Sequence, residues 1–121
     1  PDSGGCGEFR GGLGQTIEFA HAEGLPMTVS KMFERLDHPA RGREGGGAGA
    51  PGGARLDDGT RLPGMGRDVI PAGRRFVMET PGGGGKGDPK KRARDALDED
   101  IRAGLVTKDG AKAYGWAGGR K

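Results

Sequence analysis

The chain has one cysteine, Cys6, which rules out an internal disulfide and fits a reducing, cytoplasmic setting. Aromatic residues make up 5% of its 121 positions and all apolar types together 31%. A chain so poor in side chains that can be buried has little with which to build a core of its own. Only two histidines occur, His21 and His38, and neither has Cys6 or a carboxylate at a metal-ligand spacing. No complete catalytic set can be assembled from these residues, and no metal ligand set. Nothing reads as a signal peptide or a membrane span. The surplus of 20 basic over 17 acidic residues is too small to imply nucleic acid, and the lone Arg10-Gly11-Gly12 reads as a turn, not as an RGG tract. Neither nucleic acid nor membrane is expected as a partner. The chain opens on Pro1-Asp2 in place of methionine, which is the mark of a processed or incomplete N-terminus.

What the chain does have is glycine, at 28 positions, with eight prolines. Glycine loses the most backbone freedom on ordering. Such a chain is expected either to be largely disordered or to be one segment of a larger assembly whose core other chains complete. The organising stretch is Arg74 to Pro81. Here Phe76 and Met78 can face one side of a strand and Val77 the other, before the chain empties into Gly82-Gly83-Gly84-Gly85-Lys86-Gly87 and a helix start at Asp88-Pro89. A glycine loop ahead of a helix invites a phosphate, because free N–H groups can wrap an anion. Gly82, Gly84 and Gly87 do fit G-x-G-x-x-G. However, no second strand with a closing acid follows before Gly118-Gly119-Arg120-Lys121, and the P-loop pattern fails because Gly87 follows Lys86 and Thr80 stands at its first glycine. The competing reading is a tight backbone crossing. Gly83, Gly84, Gly85 and Lys86 are the cofactor-binding candidates of this loop.

Taken in order, residues 1–36 predict a glycine-rich loop and a β-hairpin. Ile17 and Phe19 face one way on the first strand, Gly24-Leu25-Pro26 makes the turn, and Met27 and Val29 point inward on the return, with Met32, Phe33 and Leu36 extending the apolar face. Residues 37–68 predict a Gly/Pro/Arg-rich, lid-like loop with one short ribbon at Asp57-Asp58-Gly59. Residues 69–87 hold the organising strand and glycine loop, and 88–121 the C-terminal helices and tail. The first helix is expected to run from Asp88 to Gly104, with Lys90, Lys91, Arg92 and Arg94 against its dipole. The pairs Lys91/Asp95, Arg94/Asp98 and Asp98/Arg102 offset this. Its narrow stripe of Ala93, Leu97 and Ile101 calls for packing against something outside. Thr107 is the expected N-cap of a short second helix ended by Gly115. Cys6 reads as a small buried residue, His21 as a surface residue and His38, at the lid entrance, as the better polar candidate. The fold class is α+β: glycine-rich loops and short antiparallel strands followed by C-terminal helices, completing the fold of a larger partner chain.

Three passages resemble the C-terminal part of the B-type subunits of the hydantoinase/oxoprolinase family. They are Pro1-Asp2-Ser3-Gly4-Gly5 with Phe9-Arg10-Gly11-Gly12-Leu13-Gly14, the Gly45-Gly46 stretch after Pro39, and Glu79 to Gly85 with Gly87-Asp88-Pro89. The closing segment Asp100 to Thr107 is similar as well. Cys6 stands where the family usually has proline, and Lys86 where it usually has an aromatic residue. The resemblance implies a cytoplasmic, ATP-dependent assembly without biotin. In it an A-type subunit binds and cleaves ATP, a larger B-type chain completes the split subunit, and ATP and a divalent metal are held by other chains. It implies a small-molecule substrate, and the small separate chain is similar to the arrangement of acetophenone carboxylase. The expectation is therefore the small subunit of an ATP-dependent, biotin-independent carboxylase (a ligase) acting on an acetophenone-like ketone with bicarbonate. The alternative is a subunit of an ATP-dependent hydrolase of hydantoin, lactam or oxoproline. A purely structural interaction module is the reading from another class.

Overall fold

The computed structural model describes residues 1–118. The expected tail at Gly119, Arg120 and Lys121 lies outside them. In chain order come strands β1 (Thr16–Phe19), β2 (Met27–Met32), β3 (Gly53–Leu56), β4 (Met65–Ile70) and β5 (Phe76–Glu79). A 3₁₀ turn (Pro89–Lys91), helix α1 (Arg94–Arg102) and a second 3₁₀ turn (Gly110–Tyr114) follow. All the pairings of named strands are antiparallel. The three-stranded sheet has the order β1-β5-β3, and β2 pairs with β4 in a separate two-stranded ribbon.

The organising strand β5 is the central strand of the sheet. Phe76 and Val77 are both buried, Val77 completely. Phe76 joins Ala54, Leu56 and Ile70 in the first core cluster, against which Met27, Val29, Phe33, Leu62 and Met78 pack. The rings of Phe19 and Phe33 stack on Phe76, with centroids 6.4 and 6.3 Å away.

The expected hairpin of β1 and β2 does not form. β1 pairs with β5 in the register Thr16↔Glu79 to Phe19↔Phe76, and β2 with β4 from Met27↔Ile70 to Met32↔Met65. Local turn chemistry at Gly24-Leu25-Pro26 reverses the chain, and the imidazole Nδ1 of His21 accepts the Glu23 N–H (3.1 Å) there. The turn carries the chain out of one sheet and into the other, because β5 offers β1 the more apolar partner. Nor do Met32 and Phe33 share a face. Met32 is 83% exposed, and the inward series Met27, Val29 ends on Lys31, which is buried at 2% exposure and ion-paired with Asp68.

The 37–68 stretch is not a lid-like loop. Residues 40–50 lie alongside the glycine segment described below, hydrogen-bonded to it through Arg43, Gly47 and Ala50, and 53–56 form β3. The ribbon at Asp57-Asp58-Gly59 is present. Leu56 N–H donates to Thr60 C=O (2.9 Å), Leu62 N–H to Ala54 C=O (2.9 Å), and Gly59 takes φ +91°. Asp58 accepts the Thr60 N–H (2.9 Å), and that hydrogen bond lowers its carboxyl below the ordinary value.

The C-terminal helix begins later than its start signal. Asp88 caps the 3₁₀ turn by accepting the Lys90 N–H (2.9 Å), but Arg92 is extended (ψ 132°) and breaks the run before α1. Lys90, Lys91 and Arg92 therefore precede α1 and do not oppose its dipole from within. Of the expected pairs, Arg94–Asp98 forms at 3.5 Å, while Arg102 pairs with Glu99. The cover expected from outside comes from the chain itself: Leu97 packs with Val106, Ala111 and Tyr114 in a second core cluster, with Ile101 against it. Gly104, at φ +74°, ends the helix. The N-cap position of the next turn is Asp109, whose side chain makes no capping bond; the expected cap, Thr107, stands two residues earlier and accepts the Gly110 N–H on its hydroxyl (2.9 Å).

Candidate functional site

The glycine segment 82–87 runs between four other extended stretches of the chain, and every third residue meets the same neighbour. Gly82 and Gly85 donate their N–H groups to the carbonyls of Ala50 (3.0 Å) and Gly47 (2.9 Å). Gly83 and Lys86 donate to Gly12 (2.8 Å) and Phe9 (2.9 Å), and Gly87 donates to Arg43 (3.0 Å). The neighbours donate back: Gly5 to Gly83 (2.8 Å), Phe9 to Lys86 (2.9 Å) and Arg43 to Gly85 (2.9 Å). A three-residue repeat whose hydrogen bonds all leave the segment is the pattern of a polyproline II-type helix in a bundle. Its backbones approach so closely that side chains have no room. A Cβ on Gly82 would lie under 3.0 Å from the Ser3 carbonyl oxygen, and one on Gly85 equally close to that of Cys6.

This geometry bears directly on the phosphate reading of the loop. A backbone N–H already given to a carbonyl is not available to an anion, and those of Gly83, Gly85 and Lys86 are so given. Among the four loop candidates only Lys86 carries a side chain, and it is exposed.

A charged cluster joins the bundle to α1. Asp100, 5% exposed, accepts from Arg10 Nε (3.1 Å) and Nη2 (3.2 Å) and from Arg92 Nε (3.2 Å) and Nη2 (2.8 Å). The second ends of both guanidinium groups reach backbone: Arg10 Nη1 donates to the Gly11 carbonyl (2.9 Å) and Arg92 Nη1 to the Glu8 carbonyl (3.1 Å). Asp2 makes a second tie, accepting the Thr107 N–H (2.9 Å) and hydroxyl (2.6 Å). Neither was visible in the sequence: Asp100 is the last of three consecutive acids, Asp98-Glu99-Asp100, and Asp2 opens a glycine-rich loop. The one signal was the excess of acid at a C-terminal helix end, where it is unfavourable unless paired. Tyr114 lies beside this cluster. Burial first, and then the nearby Cys6, push its hydroxyl above the ordinary value.

The remaining candidates are scattered. His38 is exposed beside a groove at residues 33–38 and 63–65, His21 is part of the β1–β2 turn, and Cys6 is half-buried against the second core cluster. Among the described residues no three of His, Cys, Asp and Glu come together as a metal site, and no helix is long and apolar enough to cross a membrane.

The model of the Hydantoinase B/oxoprolinase family matches residues 1–89. The chain belongs to the hydantoinase B/oxoprolinase family. It is 37% identical, over 92% of its length, to the caprolactamase subunit beta of Pseudomonas jessenii, and 34% identical over 84% to an uncharacterized protein of Methanocaldococcus jannaschii. It spans 20% and 18% of those proteins, about a fifth of their length. The crystal structure of the ATP-dependent caprolactamase from Pseudomonas jessenii matches 98% of this chain with a TM-score of 0.74 at 29% identity, and the chain covers 22% of it. The nucleotide and divalent metal that the family resemblance implies do not fit the described residues. Asp100, Asp68 and Glu79 are paired with Arg10 and Arg92, with Lys31 and with Arg55, the N–H groups of Gly82, Gly83, Gly85, Lys86 and Gly87 are given to carbonyls, and no three acidic, His or Cys side chains converge among the described residues.

Proposed function

We propose that this chain is the closing segment of a B-type subunit in an ATP-dependent cyclic-amide hydrolase, acting on a lactam-type ring. The observation that carries this reading is the 37% identity, over 92% of the chain, to a protein named as a caprolactamase subunit. It moves the preference from the ketone carboxylase expected above to its hydrolase alternative. The remaining four fifths of the B-type fold and an A-type subunit supply the ATP, metal and substrate contacts. This segment packs glycine backbones into a rigid bundle and clamps α1 to it through Asp100. Rigid packing of this kind holds neighbouring catalytic elements in register without touching substrate.

The test is the assembly's ATP turnover. ADP release driven by caprolactam without bicarbonate is expected. Release that needs acetophenone with bicarbonate, and none with a cyclic amide, would return the carboxylase reading. The structural-module reading is favoured by one observation, the engagement of the glycine N–H groups with carbonyls. Lys86→Ala in the whole assembly separates the two roles: unchanged assembly with lost turnover makes Lys86 part of the site, and unchanged turnover leaves the segment structural.

A further inference from the structure

Among the described residues nothing covers the outer face of the β2–β4 ribbon, where Thr28, Ser30, Met32, Met65, Arg67 and Val69 are exposed. Strand alternation turns Thr28, Ser30 and Met32 away from the half-buried Met27 and Val29 and the buried Lys31, and the register sets Met32 opposite Met65, Ser30 opposite Arg67 and Thr28 opposite Val69. Met65 and Val69 are 65% and 64% exposed. At the Met32/Met65 end, the strap at residues 33–36 separates two grooves of about 320 Å³ each, both lined by Phe33 and Leu36. Met32 lines one groove and Met65 the other, so the methionine pair joins the apolar walls that Phe33 and Leu36 give both grooves, with Glu34, Arg35, Asp37 and Glu79 among the groove residues. The exposed Ser30/Arg67 pair sets Val69 apart on the same face. Arg35 lies between the two grooves with its backbone left-handed (φ +56°), its carbonyl accepting the Gly52 N–H at 3.1 Å.

A chain with only 31% apolar residues leaves a cross-strand methionine pair in water while burying Lys31, and exposed apolar side chains grouped in this way mark an interaction surface. The chain's shape is reproduced over 98% of its length inside a solved chain of which it is only 22%. A fold of this shape therefore exists with more than three times its length in further chain available to cover it. We infer that Met32, Met65 and the apolar walls of the two grooves seat an apolar segment from the remaining part of the B-type subunit. Methionine's flexible side chain suits such a seat. The inference rests on the reading of this chain as part of a larger B-type subunit.

The test uses the intact assembly, purified through a tag on this chain. With Met32→p-benzoylphenylalanine, irradiation is expected to give adducts with B-type peptides outside residues 1–121. In the assembly with Met32 unchanged, peroxide is expected to oxidise Met32 and Met65 at least about tenfold more slowly than a free methionine peptide in the same tube. Adducts only with a second copy of residues 1–121 or with the A-type subunit, or oxidation at the free rate, would overturn the docking surface while leaving the proposed function standing. An assembly with no B-type sequence beyond residues 1–121 would overturn both.

Discussion

At Gly82 and Gly85 a single methyl group would be driven onto the carbonyl oxygens of Ser3 and Cys6, which are fixed by the bundle around them. Gly82→Ala and Gly85→Ala are each expected to lose at least about 3 kcal/mol in denaturant titration of the assembled protein. Gly12→Ala, where a Cβ meets nothing within 4 Å, should stay within about 0.5 kcal/mol. Equal losses at Gly12 and Gly82 would contradict the close packing. Removing the carboxylate with Asp100→Ala leaves Arg10 and Arg92 facing each other in a largely dry place, and the expected loss is about 3–5 kcal/mol. Tyr114 gives a pH dependence of known sign. Its hydroxyl is raised above 10.0 by burial, so the folded state holds the proton more tightly than the unfolded chain. Stability is therefore complete below pH 10 and falls as the pH rises through the raised value. Tyr114→Phe should remove that alkaline slope, and an unchanged slope would place its origin in another group.

The elements whose causes are local were legible in the sequence. β5 follows from alternation, the ribbon at Asp57-Asp58-Gly59 from turn chemistry, and the end of α1 from Gly104. Gly104→Ala tests the last of these: it meets no steric contact, so only the left-handed backbone resists it, and the expected loss is about 1 kcal/mol in thermal unfolding. What failed was partner choice. Nothing near residue 19 says that β1 pairs with a strand some sixty residues on, because pairing is decided by which apolar faces meet in three dimensions. The threefold packing around Gly82 to Gly87 was illegible for a related reason. Its contacts are backbone to backbone between distant stretches, and glycine leaves no side-chain pattern for a periodicity argument to use. The break at Arg92 was hidden too, since the N-terminal signal at Asp88-Pro89 is genuine but serves a 3₁₀ turn, and the helix restarts where Arg92 reaches Asp100.

At the scale of the whole molecule, the chain has two small core clusters joined by a bundle made almost entirely of backbone. That is an economical way to fold a glycine-rich segment, and it makes order depend on hydrogen bonds where most domains rely on apolar area. It also explains why so much glycine need not mean a ligand loop. The most direct measurement is amide hydrogen exchange of residues 82–87 in the complete assembly, with and without ATP and cyclic amide. Slow exchange of Gly82, Gly83, Gly85, Lys86 and Gly87 in both conditions is expected if their N–H groups are held by the chain's own carbonyls. Fast exchange that slows only when ATP is added would contradict the bundle and make the glycine segment a phosphate loop after all.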